Sequence, residues 1–378
     1  MPNRSVTALL TAVMAVSMAQ LFLVGALGPL LVSQAGVPRA VLGWTSTAGF
    51  AVAALLSLMA GHWVDRLGAR RSVVALVGLA ALALALIGFS VNTPMLLAAL
   101  ALGGLPQALA NPATNKIIMV SVEPGRRGGV TGWKQSGVQL GALAAGLPLA
   151  ALAAWLGWRG VMWTAAAIAV IIAVWAVRSL PDDTAHESTG PPDLPPARVG
   201  RLAVFSFLLG CGIAAVNTYV TLFGVQELGL APVVAAWLVA VLGLAGVAGR
   251  VGWSRRADRS GRAPAYLTLL SAGACLAALM LGAATWAPGA IWVAAAATGA
   301  FAVAANAVTM VVVISQARRG AAGRDSARVS AGFFAGFAAG PPAFGALIDR
   351  AGYGPGWLLV AAEFAIAAVV AMPLRSRT

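Results

Sequence analysis

A lysine stands among small and apolar residues in the stretch GVTGWKQSGVQLG, residues 129–141. Lys134 is followed directly by Gln135, and an ammonium group beside a carboxamide is suited to binding an anion because both donate hydrogen bonds. The alternative is that Lys134 reaches along its helix to water at the membrane surface. Lys134 lies six residues beyond Gly128, or about 9 Å along a helix, so both interpretations stay open.

Further polar side chains interrupt the apolar runs of the chain. Polar residues deep in a membrane segment are candidates for contact with a transported molecule, and hydrogen bonding between helices is the alternative for each of them. The predicted substrate-binding residues are Gln20, Asn111, Asn115, Lys134, Gln135, Asn217, Tyr219 and Asn306.

The charges predicted inside the apolar runs are mostly positive: Lys116, Lys134 and Arg250 stand against one acid, Glu363. Lys116 is close to the end of its run, so we interpret it as reaching the membrane surface. Glu363 is expected to meet a neighbouring helix rather than a substrate. A buried lysine without an acidic partner favours an anion as cargo.

These side chains must be positioned by membrane-spanning helices. Hydrophobic residues make up 60% of the 378 residues and charged residues 10%, whereas soluble domains carry about 25% charged residues. A span needs about 20 apolar residues, and the runs do not alternate in polarity as barrel strands do. The sequence therefore predicts an all-α integral membrane protein with twelve transmembrane helices, at residues 7–32, 41–63, 72–90, 95–120, 129–153, 160–178, 201–224, 233–252, 264–284, 289–315, 329–348 and 356–374.

The arginines predict the orientation of these spans. With the N-terminus in the cytoplasm, most arginines fall in cytoplasmic segments, and the outer segments hold only Arg39, Arg159 and Arg350. The excess of positive residues on one side places both termini in the cytoplasm. The polar stretch 179–200 is rich in proline and is interpreted as a cytoplasmic linker. It separates two predicted six-helix bundles, residues 1–178 and 201–378.

The two halves repeat short motifs in the same order. VDRLG at 64–68 matches ADRSG at 257–261, and ANPAT at 110–114 matches ANAVT at 305–309. A third DRxG occurs in IDRAG at 348–352. Together they indicate duplicated, pseudo-symmetric halves, which is typical of secondary transporters whose substrate binds near the middle of the membrane.

The chain resembles the major facilitator superfamily, on the basis of GHWVDRLGARR at 61–71 and its partial copy SRRADRSGR at 254–262. The resemblance implies that this loop latches the cytoplasmic side, with Gly61 allowing close helix approach and Asp65 accepting hydrogen bonds at a neighbouring helix end. The copy departs from the pattern, since Ser254 replaces the glycine. The residues assigned to gating by the resemblance are Gly61, Asp65, Arg66, Arg70, Arg71, Asp258 and Arg259.

The sequence has no phosphate-binding loop and no metal-ligand spacing, so we predict no enzymatic activity, no cofactor and no metal. Its basic residues lie between apolar runs, which argues against nucleic acid as a partner. The predicted function is alternating-access transport of a small organic or inorganic anion across the inner (plasma) membrane, by proton symport or exchange. Multidrug or metabolite efflux by proton antiport is the alternative. The expected partners are the lipid bilayer, the substrate and a coupling proton, and the resemblance suggests a monomer.

Overall fold

A computed structural model describes residues 3–35, 39–181, 196–316 and 322–372. These residues are helical almost throughout, and no β-strand occurs among them. The all-α prediction is therefore confirmed. Residues 182–195, which form most of the predicted linker, lie outside the described residues, and helix α10 begins at Pro196, inside the predicted linker.

The helices of the first half are interrupted more often than the apolar pattern predicts. The first predicted span is divided at Met18 and Leu27, and the fourth is divided at Gly103. The bounds are α1 Asn3–Ser17, α2 Ala19–Ala26, α3 Gly28–Ala35, α4 Arg39–Leu67, α5 Ala69–Phe89, α6 Thr93–Leu102, α7 Gly104–Ser121, α8 Arg127–Ala144, a π-helical turn Ala145–Leu149, and α9 Ala150–Ser179, which is broken at Gly157.

The second half contains longer continuous helices and one π-helical turn. The π turn divides the tenth predicted span, and the eleventh contains two prolines, Pro341 and Pro342. The bounds are α10 Pro196–Gln226, α11 Pro232–Ser260, α12 Ala263–Ala283, α13 Ala290–Thr298, a π turn Gly299–Val303, α14 Ala304–Gln316, α15 Ala322–Ala351 and α16 Tyr353–Ala371.

The number of apolar helices differs from the predicted twelve. Ten helices in the described residues are long and apolar enough to cross a membrane, or eleven if α1 and α2, bent by 50°, form one span. The predicted fifth span is not among them because α8 carries Lys134, Gln135 and Gln139 in place of apolar residues. The polar residues that suggested a site therefore also remove this helix from the apolar count.

Each DRxG motif ends a helix at its glycine. Gly68 separates α4 from α5 with a φ of 90°, and Gly352 separates α15 from α16 with a φ of 78°. Gly261, with a φ of 65°, follows the last residue of α11. Residues with a side chain rarely adopt positive φ, so the repeat encodes three helix ends of the same kind.

The chain folds into two compact units. Unit 1 comprises Met1–Val122, Trp133–Pro191 and Arg318–Ala327, and unit 2 comprises Glu123–Gly132, Pro192–Ala317 and Arg328–Thr378. Within unit 1, α5 packs against α9 and α4 packs against α7, whereas within unit 2 α16 packs against α10 and α12. Two helices contribute to both units: α8 through Arg127–Gly132 and α15 through its residues up to Ala327.

Candidate functional site

Lys134 lies against two asparagines of α7. Asn111 and Asn115 are four residues apart, so they share one face of the helix. The Lys134 Nζ lies 3.0 Å from Asn111 Oδ1 and 2.7 Å from Asn115 Oδ1. The ammonium group therefore donates to both amide oxygens and links α8 to α7 within unit 1.

The same contacts extend to a neighbouring glutamine and to the beginning of α15. Gln135 donates through Nε2 to Asn111 Oδ1 at 3.1 Å, and Asn115 donates through Nδ2 to Ser326 Oγ at 2.9 Å. We call these five residues, Asn111, Asn115, Lys134, Gln135 and Ser326, the lysine cluster. Lys134 is 0% exposed, so the interpretation that its ammonium reaches water is wrong.

A buried acid that the sequence interpretation missed lies beside the lysine cluster. Asp325 directly precedes Ser326 and is only 3% exposed. The sequence predicted that this span begins at residue 329, which placed Asp325 in a cytoplasmic loop. The helix begins at Ala322 instead, so Asp325 stands in its first turn, where the helix dipole favours a negative charge. A serine and an acid just before an apolar run were the available signal, since both are common at helix beginnings.

Gln20 contacts the break in the fourth predicted span rather than the lysine cluster. Its Nε2 donates to the carbonyl of Leu100 at 3.3 Å, close to the point where α6 gives way to α7. A side chain at Gly103 would overlap the Gln20 carboxamide. The break frees a backbone carbonyl, and Gln20 supplies a donor for it, which is a structural role.

Two of the predicted binding residues stand on α10 in unit 2. Asn217 is exposed. Tyr219 donates through its hydroxyl to the Pro341 carbonyl at 3.2 Å, and its ring lies 4.8 Å from that of Phe344. Pro341 begins a pair of prolines that removes backbone donors from α15. Tyr219 therefore contacts α15 at a point where the backbone hydrogen bonds of that helix are interrupted.

A buried polar group also lies beside the π turn of unit 2. Arg250 on α11 is 4% exposed, and its Nε lies 3.2 Å from the carbonyl of Val303, the last residue of the π turn. Asn306, three residues further on, is buried, and its Oδ1 has no hydrogen-bond partner among the described residues. Arg250 is thus inside the helix packing rather than at the membrane surface. Buried amides are normally hydrogen bonded, which makes Asn306 a candidate for contact with a ligand.

The first gating motif contacts the beginning of α15 within unit 1. Asp65 Oδ2 lies 3.2 Å from Arg324 Nε, and Asp65 Oδ1 lies 3.5 Å from Lys116 Nζ. Lys116 also lies 3.1 Å from the carbonyl of Val64, so its ammonium group contacts the end of α4. A Cβ at Gly61 would stand 2.7 Å from the Arg324 Cα, so the absence of a side chain allows this approach.

The second motif makes a related contact in unit 2, although Ser254 replaces the glycine. Asp258 Oδ2 accepts a hydrogen bond from the backbone N–H of Gly128 at 2.9 Å, in the first turn of α8. A Cβ at Gly128 would overlap the Ser254 carbonyl oxygen. In this copy the glycine that allows close approach is therefore Gly128 on α8, and α8 still comes close to α11.

The arginines of the two motifs are placed less uniformly. Arg66, Arg71 and Arg259 are exposed. Arg70 donates through Nη2 to the carbonyl of Val177 at 2.6 Å, close to the end of α9. A cation at this end of a helix is favoured by the helix dipole, so Arg70 joins α5 to α9.

The many apolar helices define a multi-span membrane protein with a buried polar cluster. The family model of the Major Facilitator Superfamily matches residues 9–326, and the chain belongs to that family of secondary transporters. A comparison with curated proteins gives no match.

Solved structures share the fold at low sequence identity. The human organic anion transporter MFSD10 has a TM-score of 0.76 at 16% identity, with 98% of this chain and 100% of that chain covered. The proton:xylose symporter XylE has a TM-score of 0.77 at 16% identity, covering 97% and 94%. The transporter FucP, in an outward conformation, has a TM-score of 0.77 at 18% identity, covering 98% and 99%. These likenesses establish the fold alone.

Proposed function

We propose that this protein transports a small organic or inorganic anion by alternating access, with Lys134 as the group that binds it. The observation that carries the proposal is the complete burial of the Lys134 ammonium against amide oxygens of α7. Removing an ammonium group from water costs several kcal/mol, and ionisable residues within membrane segments mark substrate pathways.

The buried formal charges differ between the two units. Among the described residues, three buried side chains carry a formal charge: Lys134, Arg250 and Asp325. Lys134 and Asp325 lie in unit 1, where the two formal charges balance, and Arg250 leaves one net positive charge in unit 2. This is a weaker imbalance than the sequence predicted, because Asp325 was not expected to be buried.

The roles of the other candidates follow from their contacts. Asn111 and Asn115 orient the ammonium group by accepting its hydrogen bonds, and Gln135 holds Asn111 by donating to the same amide oxygen. Asn306 is proposed to contact the substrate through its buried carboxamide. We assign secondary roles in substrate binding to Asn217, Gln20 and Tyr219. The side chains of Gln20 and Tyr219 already hydrogen-bond to backbone carbonyls. Transport would be driven by a proton gradient or by exchange.

The test uses purified protein in liposomes and in detergent. We expect a panel of labelled mono- and dicarboxylates and inorganic anions to include a substrate that the wild type accumulates. Stabilisation of the protein by that anion should be lost in Lys134→Gln, because a ligand that binds the native state raises its melting temperature. Lys116→Gln removes the same charge beside Asp65 and should keep the stabilisation. Accumulation of neutral sugars with no response to any anion would refute the proposal.

Proton-coupled efflux is the second candidate, and Asp325 is the observation that favours it. Antiport of a cationic drug requires a buried carboxylate that exchanges cargo for a proton, and Asp325 meets the requirement of burial. Expression in a sensitive host should then give resistance to hydrophobic cations that Asp325→Asn abolishes. Wild-type expression without any change in resistance would leave anion transport as the better proposal.

We also propose that the protein lies in the inner (plasma) membrane with both termini in the cytoplasm. The proposal rests on the distribution of arginines. A cysteine at the exposed Ala287, between α12 and α13, should react with an impermeant maleimide in intact cells. A cysteine at Ser260, at the end of α11, should react after permeabilisation alone. The reverse pattern would invert the topology.

A further inference from the structure

A carboxylic acid stands at the middle of the last helix of unit 2. Glu363 is the eleventh residue of α16, which runs over 19 residues from Tyr353 to Ala371. At 1.5 Å per residue, its Cα lies about 15 Å from the beginning of a helix about 28 Å long. The sequence interpretation assigned no functional role to this acid, and the lysine cluster in unit 1 does not use it.

The carboxyl group of Glu363 has no ionic partner in the part of the chain that the structure describes. Its Oε2 is buried and makes no hydrogen bond with any described residue. Cys211 on α10 adjoins Gly212, which faces the ring of Phe364, the residue after Glu363. No hydrogen bond joins Glu363 Oε2 to the other titratable residues described on α10, α12 and α15, which include Arg201, Tyr219, Tyr266, Cys275 and Asp349.

These surroundings favour the neutral acid. An ionised carboxylate in an apolar environment loses its hydration, and no cation or donor among the described residues replaces it. A carboxylic acid that carries its proton avoids most of this cost. Glu363 thus differs from Asp65, which faces both Lys116 and Arg324 and has cations that stabilise its charge.

We propose that Glu363 is a proton-binding site within the membrane, occupied by a proton in this conformation, and that this proton is the coupling ion. The assignment of coupling rests on the proposed secondary transport. The proton leaves when water or a hydrogen-bond donor reaches the carboxyl group. Its return restores the neutral acid and the packing seen in this structure.

The packing of α10 offers a physical link between this proton and helix movement. The residue after Glu363, Phe364, fills the space beside Gly212, where a Cβ would lie 2.6 Å from its ring. The adjoining Cys211 is approached by α15, because a Cβ at Gly340 would overlap the Cys211 carbonyl oxygen. Ionisation of Glu363 would therefore disturb α10 at the place where α15 crosses it.

The first test measures whether Glu363 is protonated and does not depend on transport. Dicyclohexylcarbodiimide, an apolar reagent, modifies protonated carboxyl groups within membranes, and peptide mass spectrometry locates the adduct. We expect Glu363 to be modified in the wild type, with the yield falling as the buffer is made alkaline. Glu227, an exposed carboxylate after α10, serves as the internal control and should stay unmodified. Absence of modification at Glu363 even in acidic buffer would overturn the proposal.

The second test separates coupling from binding. In liposomes, Glu363→Gln should lose accumulation driven by a proton gradient and retain exchange of labelled for unlabelled substrate. Glu227→Gln should retain both. If Glu363→Gln keeps proton-driven accumulation at the wild-type level, the coupling role is refuted. If no anion is transported by any variant, the proposed function fails, and the carbodiimide result still decides whether Glu363 holds a proton.

Discussion

Lys134 and Asn115 lie on different helices of one unit, and the Lys134 Nζ is 2.7 Å from the Asn115 Oδ1. Asn115 in turn donates to Ser326 at the beginning of α15. One asparagine side chain therefore connects the buried cation with the residue that follows the buried acid Asp325. The same end of α15 also contacts the gating motif, because Arg324 lies 3.2 Å from Asp65.

The contact between Lys134 and Asn115 should be measurable as stability. Asn115→Leu removes an acceptor from a buried ammonium group, and hydrogen bonds to charged groups contribute about 1.5–3 kcal/mol. We expect the apparent melting temperature in detergent to fall. The matched control is Asn217→Leu at an exposed position of α10, which should change it little. Equal effects at the two positions would contradict the proposed role of the lysine cluster.

The two motif aspartates should respond differently to the loss of charge. Asp65 forms ion pairs with Lys116 and Arg324. Asp258 instead accepts a hydrogen bond from a backbone N–H, and the amide oxygen of an asparagine can accept the same bond. Asp65→Asn is therefore expected to reduce both transport rate and melting temperature clearly more than Asp258→Asn. Raising the salt concentration should narrow the difference, since part of it is electrostatic. Equal losses of transport rate and melting temperature in the two variants would show that charge does not distinguish the two motifs.

The crossing of α8 and α11 depends on the missing side chain of Gly128. Gly128→Ala would place a Cβ in overlap with the Ser254 carbonyl oxygen and the Asp258 Cβ. Overpacking of this kind costs about 1–3 kcal/mol, and we expect it to break the hydrogen bond to Asp258. Gly252→Ala on α11 meets open space and should be neutral or stabilising by up to about 1 kcal/mol. Thermal unfolding of both variants measures the difference.

Arg250 should stabilise the π turn of unit 2. Arg250→Met keeps a long side chain and removes the donor to the Val303 carbonyl, which leaves a buried acceptor at a cost of about 1–3 kcal/mol. The expected result is a lower melting temperature and faster hydrogen exchange at the π turn. Arg256→Met, at an exposed position of the same helix, is the control. An unchanged exchange rate in Arg250→Met would mean that the arginine serves a different purpose.

Several features could be predicted from the sequence because they depend on local composition. Apolar runs of membrane-spanning length specify helices, and each DRxG motif specifies a helix end through a glycine with positive φ. The family resemblance could also be recognised from GHWVDRLGARR, and the family model confirms it. The fifth predicted span departs furthest from this, because polar residues and a π turn replace a plain apolar helix, and the first, fourth and tenth predicted spans are divided.

The partners of the polar side chains were decided by tertiary structure. From the sequence alone, Lys134 could either bind an anion or reach the membrane surface. Its direction depends on asparagines 19 and 23 residues away, which the local sequence does not reveal. Asp325 was assigned to a loop because its helix begins one turn or more before the apolar run does. Ser254 replaces the glycine expected in the second motif, but Gly128 on another helix has no side chain and allows the two helices to approach. Hydropathy determines which segments enter the membrane, since that is a property of each segment, whereas hydrogen-bond partners depend on how segments distant in sequence pack.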